Sequence, residues 1–371
     1  MRVLFLVPDL FRESGGIARY CRLMYKAMSS SVEISQVDVV SLLDSKSDRP
    51  IELATNSIYH ACTGSKARFT RSVISLAMHH YDILVVGHVN LMPLAKIVSS
   101  ISQLPIMVMA YGVDVWDRLP AYRRLPLRSS DMVIAISEYT RSRMIESNSV
   151  KPEKTRILYN CFDPNMLEVL GADYKSDVDI SSPNLLTVSR LSRGDSYKGH
   201  AQVIRALPYV LQSFPNLNYY IVGKGVLSTE LASLASELGV KSNVHFLGFL
   251  DNPSLQSVYN HCDIFIMPSM KEGFGFVFAE AMMYGKPVIA GNQDASVEVV
   301  QHNETGILVD PRDTKQIAEA ILLMLSNEDM RKRMGNQGLT VAKEKFNFSK
   351  FSNSLVKYIH EVVKGQISAS V

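Results

Sequence analysis

Long apolar runs are missing from this 371-residue sequence. No stretch reaches the roughly 18–20 apolar residues that a membrane-spanning helix requires. The first residues, MRVLFLVPDL, run directly into an apolar strand, without the spaced basic region and small-residue cleavage site of a signal peptide. We therefore expect a cytoplasmic protein with no secretory signal and no membrane-spanning helix.

Cysteine and net charge are also scarce. The four cysteines are scattered without paired spacing, which argues against a disulfide framework and a zinc site and suits a reducing compartment. The formal net charge of +3 is too small to indicate nucleic-acid binding. A chain of this length usually forms two domains.

The stretch 263–290, DIFIMPSMKEGFGFVFAEAMMYGKPVIA, carries the most informative pattern in the sequence. It predicts a buried strand, a glycine-containing loop, a helix over 276–284 and a second strand. Glu272 lies in the loop and Glu280 on the helix. Because the helix is apolar nearly all round, the Glu280 carboxylate requires a polar partner, such as the hydroxyls of a ligand. Gly275 precedes the helix, whose N-terminal amides suit an anion.

Within this stretch, the pattern E-G-F-G-x-x-x-x-E-A-M-x-x-G-x-P-V-I-A closely resembles the E-x7-E signature of the retaining glycosyltransferases of family 4. The resemblance implies an α/β GT-B fold, in which two Rossmann-like domains face a central cleft. It implies that Glu280 binds the ribose hydroxyls of a nucleotide sugar. It also implies that Glu272 holds the transferred sugar together with the amides that follow it, those of Gly275, Phe276 and Val277.

Two cations near the start of the second domain match another motif of the same family. Arg190 follows the strand LLTVS, and Lys198 with Gly199 opens a helix. The pattern R-L-x-x-x-x-x-x-K-G closely resembles the family's diphosphate motif, with a slightly longer loop. Two cations beside a helix N-terminus would neutralise a diphosphate, both while it is bound and as it departs with extra charge. By the same resemblance, Gly223 and Phe249 follow strands that end beside the nucleobase.

The first half of the chain begins with a strand over 2–8, a glycine pair and a helix, which form the first βα unit of a Rossmann-like domain. The resemblance makes Gly16 a contact of the sugar and diphosphate. His88 follows the predicted strand ILVV, at the edge where doubly wound sheets bind ligands, and the family places a sugar-contacting histidine there. Asp114 resembles an acidic position near the acceptor, with helix capping as the alternative. A further strand is predicted over 157–160.

These motifs divide the chain into an N-terminal Rossmann-like domain over 1–165 and a nucleotide-sugar-binding domain over 184–348. The polar segment 166–183 is typical of a linker. By resemblance, the last helix, over about 349–371, packs back on the N-terminal domain. The linker contains the pattern D-V-D at 177–179, which superficially matches the metal pair of a different glycosyltransferase fold, but no buried strand precedes it. We expect no metal and no other cofactor.

Basic residues gather on two segments of the N-terminal domain. A predicted helix over 65–77 carries three of them: Lys66, Arg68 and Arg71. Its opposite face is predicted to be apolar, with Val73, Ile74 and Leu76. A segment over 115–128 adds further aromatic and basic side chains, among them Trp116, Tyr122, Arg123 and Arg124. Either these faces are only solvated, or they rest on anionic lipid headgroups with partial insertion of the aromatic rings.

The resemblance implies that a hexose is transferred from a nucleotide-diphospho-sugar to an acceptor hydroxyl with retention at the anomeric carbon. The catalytic set is then His88, Glu272, Arg190 and Lys198. Because no residue stands out as a covalent nucleophile, we expect front-face substitution. GDP-mannose is preferred over UDP-sugars as the donor. A glycan or lipid-linked glycan at the inner face of a membrane is the expected acceptor, as in the synthesis of bacterial polysaccharides.

Other functions of the same architecture stay open. A nucleotide-sugar epimerase would need an acid–base set that the sequence does not assemble, and a phosphorylase would usually need a lysine-linked cofactor. A non-catalytic adaptor that binds nucleotide sugars would be expected to have lost a key charged residue. The sequence contains all four charged residues of the two motifs: Arg190, Lys198, Glu272 and Glu280.

Overall fold

The computed structural model describes residues 1–12, 15–48, 57–164 and 180–365. The chain divides into two compact units, Met1–Asp163 with Asn347–Val371, and Pro164–Phe346. Each unit contains one parallel sheet with helices packed against it. The predicted α/β class with two Rossmann-like domains is confirmed. Most of the predicted linker, with the D-V-D pattern, and residues 366–371 lie outside the described residues.

The first unit contains a seven-stranded sheet in the order β3-β2-β1-β4-β5-β6-β7. Its strands are β1 (Arg2–Val7), β2 (Gln36–Ser41), β3 (Tyr59–Ala61), β4 (Ile83–Val86), β5 (Ile106–Ala110), β6 (Met132–Ala135) and β7 (Thr155–Ile157). The central strands β4, β5 and β6 are buried along their whole length, as expected where helices cover both faces of a parallel sheet. The edge strand β3 has only three residues and was not predicted.

Five helices follow the strands of this sheet: α1 (Gly16–Ser29), α2 (Lys66–Ala77), α3 (Met92–Ser102), α4 (Ala121–Ser129) and α5 (Glu138–Asn148). Hydroxyl caps determine where two of them begin. The Ser65 side chain accepts a hydrogen bond from the amide of Arg68 in α2, and Ser137 accepts one from the amide of Thr140 in α5. The strand predicted over 157–160 is placed too late, because β7 ends at Ile157, and the Asn160 side chain accepts from the next amide.

The second unit contains a six-stranded sheet in the order β10-β9-β8-β11-β12-β13. Its strands are β8 (Asn184–Val188), β9 (Asn218–Val222), β10 (Val244–Gly248), β11 (Ile264–Met267), β12 (Val288–Gly291) and β13 (Gly306–Val309). Its helices are α6 (His200–Val210), α7 (Leu227–Glu237), α8 (Asn252–His261), α9 (Phe276–Met283), α10 (Ser296–Val299), α11 (Thr314–Ser326) and α12 (Glu328–Lys345). A Cβ atom on Gly335 of α12 would lie 2.0 Å from the carbonyl oxygen of Gly285, so α12 packs closely against the end of α9.

The last helix, α13 (Phe348–Val363), belongs to the first unit although it follows the second unit in sequence. The Phe351 ring packs edge-on against the Tyr20 ring of α1, with 5.4 Å between centroids. The Tyr358 hydroxyl donates to the carbonyl of Ile157 at 3.1 Å. The apolar side of α13 is thereby buried against the first sheet and α1.

Candidate functional site

The candidate donor site lies at the carboxyl ends of the central strands in the second sheet. The strand order reverses between β8 and β11, and open α/β sheets bind ligands at such a switch point. The loop after β8 carries Arg190 and Lys198, and the loop after β11 carries Glu272. Parallel strands bring both loops to the same edge, although more than 70 residues separate them in sequence.

Lys198 and Glu272 form an ion pair at this edge. Lys198 Nζ lies 2.6 Å from Glu272 Oε1, and the two side chains are 12% and 14% exposed. Burial alone would lower the pKa of Lys198, but the charge of Glu272 and the hydrogen bond to it outweigh burial and raise that pKa. Lys198 therefore keeps its positive charge at this edge although it is mostly buried. The sequence placed Lys198 and Glu272 on different parts of the donor, and the structure shows that they also contact each other.

Asp294, a residue that the sequence analysis missed, holds the Glu272 loop in place. Its Oδ2 accepts from the Glu272 amide at 2.7 Å and from Ser269 Oγ at 2.8 Å. Its Oδ1 accepts from the Ser296 amide at 2.9 Å. Burial raises the pKa of Asp294, while these hydrogen bonds favour its ionised form. Its position shortly after the buried strand β12 is the signal that could have identified it.

The loop that carries Arg190 is ordered by its own capping residues. Ser192 and Asp195 form a capping box at the start of the short helix Arg193–Lys198. Asp195 is buried, and its Oδ1 lies 3.5 Å from an Arg190 guanidinium nitrogen. The Arg190 side chain is 76% exposed. The Arg190 guanidinium is therefore held near the loop and remains accessible to a ligand.

Two glycines at this edge fill positions that no other residue fits. Gly199, just before α6, has φ of 85°, and a Cβ there would lie 2.3 Å from the carbonyl oxygen of Pro268. Gly223, just after β9, has φ of 138°, and a Cβ there would lie 1.7 Å from the carbonyl oxygen of Ser189. Close approach of neighbouring loops thus explains both glycines structurally. The predicted contact of Gly223 with the nucleobase stays a prediction.

Glu280 finds a polar partner within the protein. It is 9% exposed on α9, and the Tyr259 hydroxyl lies 3.4 Å from its Oε2. Burial raises the pKa of Tyr259, so this hydroxyl keeps its proton and can donate. The Tyr259 ring stacks on Tyr284, with centroids 5.0 Å apart. The predicted need for a polar partner is met here by a tyrosine, and the ribose contact stays a prediction.

The start of α9 provides the amides that the sequence assigned to the sugar. Gly275 has φ of 78°, the left-handed conformation that turns the loop into the helix. Phe276 and Val277 form the first turn and are half-buried. Phe249, assigned to the nucleobase, follows β10 and is 69% exposed, with Lys224 Nζ 5.8 Å from its ring centroid. An exposed aromatic ring beside a cation is suited to stacking.

In the first unit, His88 and Asp114 come together at the edge of the sheet. His88 follows β4, and its Nδ1 accepts from the Asn90 amide at 3.1 Å. Its Nε2 lies 3.9 Å from Asp114 Oδ2. Burial lowers the pKa of His88, against the opposing charge of Asp114, and burial raises the pKa of Asp114. Asp114 also accepts from the Tyr111 amide, three residues earlier, at 3.1 Å. The next helix, α4, begins at Ala121, so the helix-capping alternative is wrong.

The loop after β1 is held by a second carboxylate that the sequence analysis missed. Asp44 is fully buried and accepts from the amides of Leu10, Phe11 and Arg12 at 2.9 to 3.3 Å. This loop leads toward Gly16, which is exposed in the first turn of α1. The position of Asp44, three residues after β2, is the signal that could have identified it.

The basic surface differs from its prediction in two respects. Trp116 is buried, and its Nε1 donates to Thr140 Oγ1 at 3.2 Å, so its ring packs against α5 and is not available for a membrane. Ile74 is 42% exposed and lines a shallow surface on α2 together with Lys66 and Arg71. The exposed face of α2 is therefore mixed, with an apolar side chain among its cations.

Among the described residues, no three histidine, cysteine, aspartate or glutamate side chains are arranged to hold a metal ion. Since the D-V-D pattern lies outside those residues, the expected absence of a metal stays a prediction. Within the same part of the chain, none of the helices combines the length and the apolar character needed to cross a membrane.

Each half of the chain matches the model of a known protein family. The family model for "Glycosyl transferases group 1" matches residues 177–341, and the model for "Glycosyltransferase Family 4" matches residues 14–166. The first match includes the Lys198–Glu272 pair, and the second includes His88 and Asp114. Together the two matches extend over most of the chain.

Two curated proteins illustrate the related sequences. The GDP-mannose-dependent alpha-(1-6)-phosphatidylinositol monomannoside mannosyltransferase of Mycobacterium tuberculosis is 31% identical over 250 residues, covering 63% of each chain. An N-acetylgalactosamine-N,N'-diacetylbacillosaminyl-diphospho-undecaprenol 4-alpha-N-acetylgalactosaminyltransferase of Campylobacter jejuni is 29% identical over 231 residues, covering 62% of this chain and 60% of that protein. The chain thus matches about six-tenths of the length of these relatives.

A solved structure shows the same fold over nearly the whole chain. The Anabaena protein Alr3699/HepE, in complex with UDP, superposes with a TM-score of 0.76 at 22% sequence identity. The superposition covers 97% of this chain and 100% of that chain. At this identity the likeness shows the fold, which is that of the GT-B glycosyltransferases.

Proposed function

We propose that this chain, which belongs to the group 1, family 4 glycosyltransferases, transfers a hexose from a nucleotide-diphospho-sugar to an acceptor hydroxyl. The observation that carries this proposal is the buried Lys198–Glu272 pair at the switch point of the second sheet. A buried cation just before the start of α6 at Gly199 suits a diphosphate, and a carboxylate beside that cation suits sugar hydroxyls. Glu280, farther along α9, is proposed to bind the ribose.

The proposed transfer retains the anomeric configuration by front-face substitution. The acceptor oxygen bonds to the anomeric carbon on the face from which the diphosphate leaves, the bond between that carbon and the diphosphate oxygen breaks, and the acceptor proton passes to the diphosphate. Lys198 and Arg190 stabilise the negative charge that grows on the leaving group. Glu272 and His88 orient the sugar, and Asp114 serves the acceptor side. We propose that the reaction uses no metal.

GDP-mannose is the proposed donor, and a lipid-linked glycan the proposed acceptor. The name of the Mycobacterium tuberculosis relative supports both parts, since that protein is described as GDP-mannose-dependent and as acting on a phosphatidylinositol mannoside. The name of the Campylobacter jejuni relative, a diphospho-undecaprenol-linked sugar transferase, supports a lipid-linked acceptor. A UDP-sugar-dependent reaction of the same kind is the alternative.

We also propose that the first unit rests on an anionic membrane surface. The contacts would come from α2, through Lys66, Arg68 and Arg71, and from α4, through Arg123 and Arg124. Exposed apolar side chains accompany these cations: Ile74 and Met78 near α2, and Tyr122 and Leu125 on α4. Cations combined with exposed apolar groups are what interfacial binding requires.

The direct test is a transfer assay with GDP-mannose, UDP-glucose and UDP-N-acetylglucosamine as donors and a lipid-linked glycan fraction as acceptor. We expect an acceptor-dependent product from GDP-mannose whose new linkage has the anomeric configuration of the donor, determined by NMR. Lys198→Ala serves as the inactive control. Conversion of a nucleotide sugar to its isomer without acceptor would indicate an epimerase. Binding without any turnover would indicate an adaptor. Either result contradicts the proposal.

A further inference from the structure

A cavity of about 530 Å³ opens on the first unit beside the loop after β5 and helices α4 and α5. We call it the arginine pocket, and its lining is mostly cationic: Arg118, Arg124, Arg128, Arg143, Glu146, Ser147 and Ser149. Four guanidinium groups face one carboxylate, a formal surplus of three positive charges. The size is within the range of small-molecule sites, about 300–1,000 Å³.

The charges in the arginine pocket are not neutralised from within the protein. Within the described ranges, none of the four guanidinium groups has a carboxylate oxygen within 4.0 Å, and none donates a hydrogen bond. Arg143 Nε is buried without a hydrogen-bond partner there. Arg124 and Arg128 lie four residues apart on α4, a spacing at which like charges repel. Such an arrangement costs free energy until an anion occupies it.

The scaffold beneath the arginine pocket is tightly bonded. Asn148, fully buried at the end of α5, accepts from the Leu119 amide at 2.8 Å and donates to the Val115 carbonyl at 2.7 Å. Ser147 Oγ donates to the Trp116 carbonyl at 2.6 Å. These bonds hold the loop that carries Arg118 against α5. A backbone that is already ordered reduces the entropy lost on binding, because only the arginine side chains then have to be fixed.

We propose that the arginine pocket binds a phosphate group, in the form of a phosphomonoester or a diphosphate. Guanidinium groups present paired donors that match two phosphate oxygens, and several of them together satisfy a dianion that a single lysine would not. All the residues that line the arginine pocket belong to the first unit, and the proposed donor residues Arg190, Lys198 and Glu272 belong to the second. The phosphate site does not depend on the proposed transfer reaction, so the two proposals can fail separately.

The test titrates inorganic pyrophosphate by calorimetry into the full chain carrying Arg190→Ala and Lys198→Ala, whose donor site lacks its two cations. We expect one saturable site that weakens at least tenfold when Arg124→Gln and Arg143→Gln are added. The matched control adds Arg312→Gln and Arg333→Gln instead, two exposed arginines of the second unit, and keeps the affinity. Unchanged affinity in the pocket variant, or no saturable binding in the parent, would overturn the proposal.

If Arg143→Gln lowers the yield of folded protein, Arg118→Gln with Arg128→Gln gives the same comparison, because both side chains are exposed. Vesicles then identify the source of the phosphate. Those with phosphatidic acid display a phosphomonoester, and those with phosphatidylglycerol at equal surface charge do not. If vesicles with phosphatidic acid displace pyrophosphate and vesicles with phosphatidylglycerol do not, the ligand of the pocket is a lipid headgroup. If neither kind of vesicle displaces pyrophosphate, the ligand of the pocket is a soluble phosphorylated molecule. Both results support the site.

Discussion

Lys198 Nζ lies 2.6 Å from Glu272 Oε1, and both side chains are mostly buried. The cation belongs to the loop after β8 and the carboxylate to the loop after β11, so this pair joins the two loops at the switch point of the second sheet. Breaking a buried ion pair by removing one partner typically costs about 3–5 kcal/mol, because the other charge is left uncompensated. Removing the charge of either Lys198 or Glu272 alone should therefore destabilise the protein.

A double-variant experiment separates the contribution of the Lys198–Glu272 pair to stability from the contribution of Lys198 to turnover. We predict that Lys198→Met lowers both the stability of the protein and its turnover. Lys198→Met with Glu272→Gln should regain much of the stability, since no buried charge is left alone, and should remain inactive. Loss of one preorganised donor to a developing charge costs about 2.7–4 kcal/mol, or roughly 100- to 1,000-fold in turnover. Chemical denaturation and initial rates measure the two effects.

Arg190→Ala provides the matched comparison for that experiment. The Arg190 side chain is 76% exposed, so its removal should reduce turnover and leave the unfolding transition nearly unchanged. Near wild-type turnover in both Arg190→Ala and Lys198→Met would contradict the assignment of these cations to the diphosphate.

Asp294 should act on catalysis through the loop that it holds. The amides of Glu272 and Ser296 donate to different oxygens of Asp294, so Asp294→Asn, which replaces one oxygen by an NH2 group, leaves one of the two amides without its acceptor. A buried donor left unsatisfied costs about 1–3 kcal/mol, so we expect turnover to fall about tenfold or more and the KM for the donor to rise. Asp313→Asn, a change of the same kind at the exposed cap of α11, is the control. Equal kinetics for the two variants would remove Asp294 from the site.

Acid should destabilise the second unit through His200. This histidine is 2% exposed and bonds Ser189 through Nε2, and burial lowers its pKa from 6.5 to about 4. As the pH falls below 6.5, His200 becomes protonated in the unfolded chain, whereas in the folded chain it stays neutral until about pH 4. The stability contributed by neutral His200 is thus lost over that window. We expect a loss of about 2 kcal/mol between pH 7 and pH 5 from this residue.

Denaturation of His200→Gln at the two pH values measures this contribution. The variant should lose about 2 kcal/mol less than the wild type on acidification. His79→Gln, at an exposed position in the first unit, should behave as the wild type. The same pH dependence in all three proteins would show that His200 titrates normally in the folded state.

Local patterns in the sequence predicted local structure well. In the stretch 263–290, the predicted strand, helix and second strand correspond to β11, α9 and β12, and the helix predicted over 276–284 agrees with α9 to within one residue at each end. A short apolar run, a glycine in a left-handed conformation and a proline after the helix determine these boundaries from neighbouring residues alone.

Contacts between distant residues could not be predicted in this way. Asp294 lies 22 residues from the amide that it accepts from, and Asp44 lies more than 30 residues from its loop. Trp116 was expected on the surface because the segment 115–128 is rich in basic residues. Its burial depends on Thr140 of a later helix, which nothing in the segment 115–128 reveals. Such contacts depend on the order of the strands in the sheet, which no single segment of the sequence predicts.

The mixed face of α2 should contribute to membrane binding. Each Lys or Arg near an anionic surface contributes about 1 kcal/mol, so replacing Lys66, Arg68 and Arg71 by Gln should weaken binding to vesicles of anionic lipid by about two orders of magnitude. The effect should shrink as salt rises. Replacing Lys241, Arg312 and Arg333 of the second unit removes the same charge and serves as the control. Equal cosedimentation of both triple variants would exclude α2 from the surface.

Nucleotide binding tests the central claim most directly. A ligand that binds only the folded protein raises its unfolding temperature according to the ratio of ligand concentration to Kd. Thermal unfolding of the wild type and of Lys198→Ala is therefore measured with GDP, UDP and ADP and with their common sugar conjugates. We predict a rise with GDP and GDP-mannose in the wild type, and a much smaller rise in Lys198→Ala. No rise with any nucleotide, or an equal rise in both proteins, would contradict a donor site built on Lys198 and Glu272.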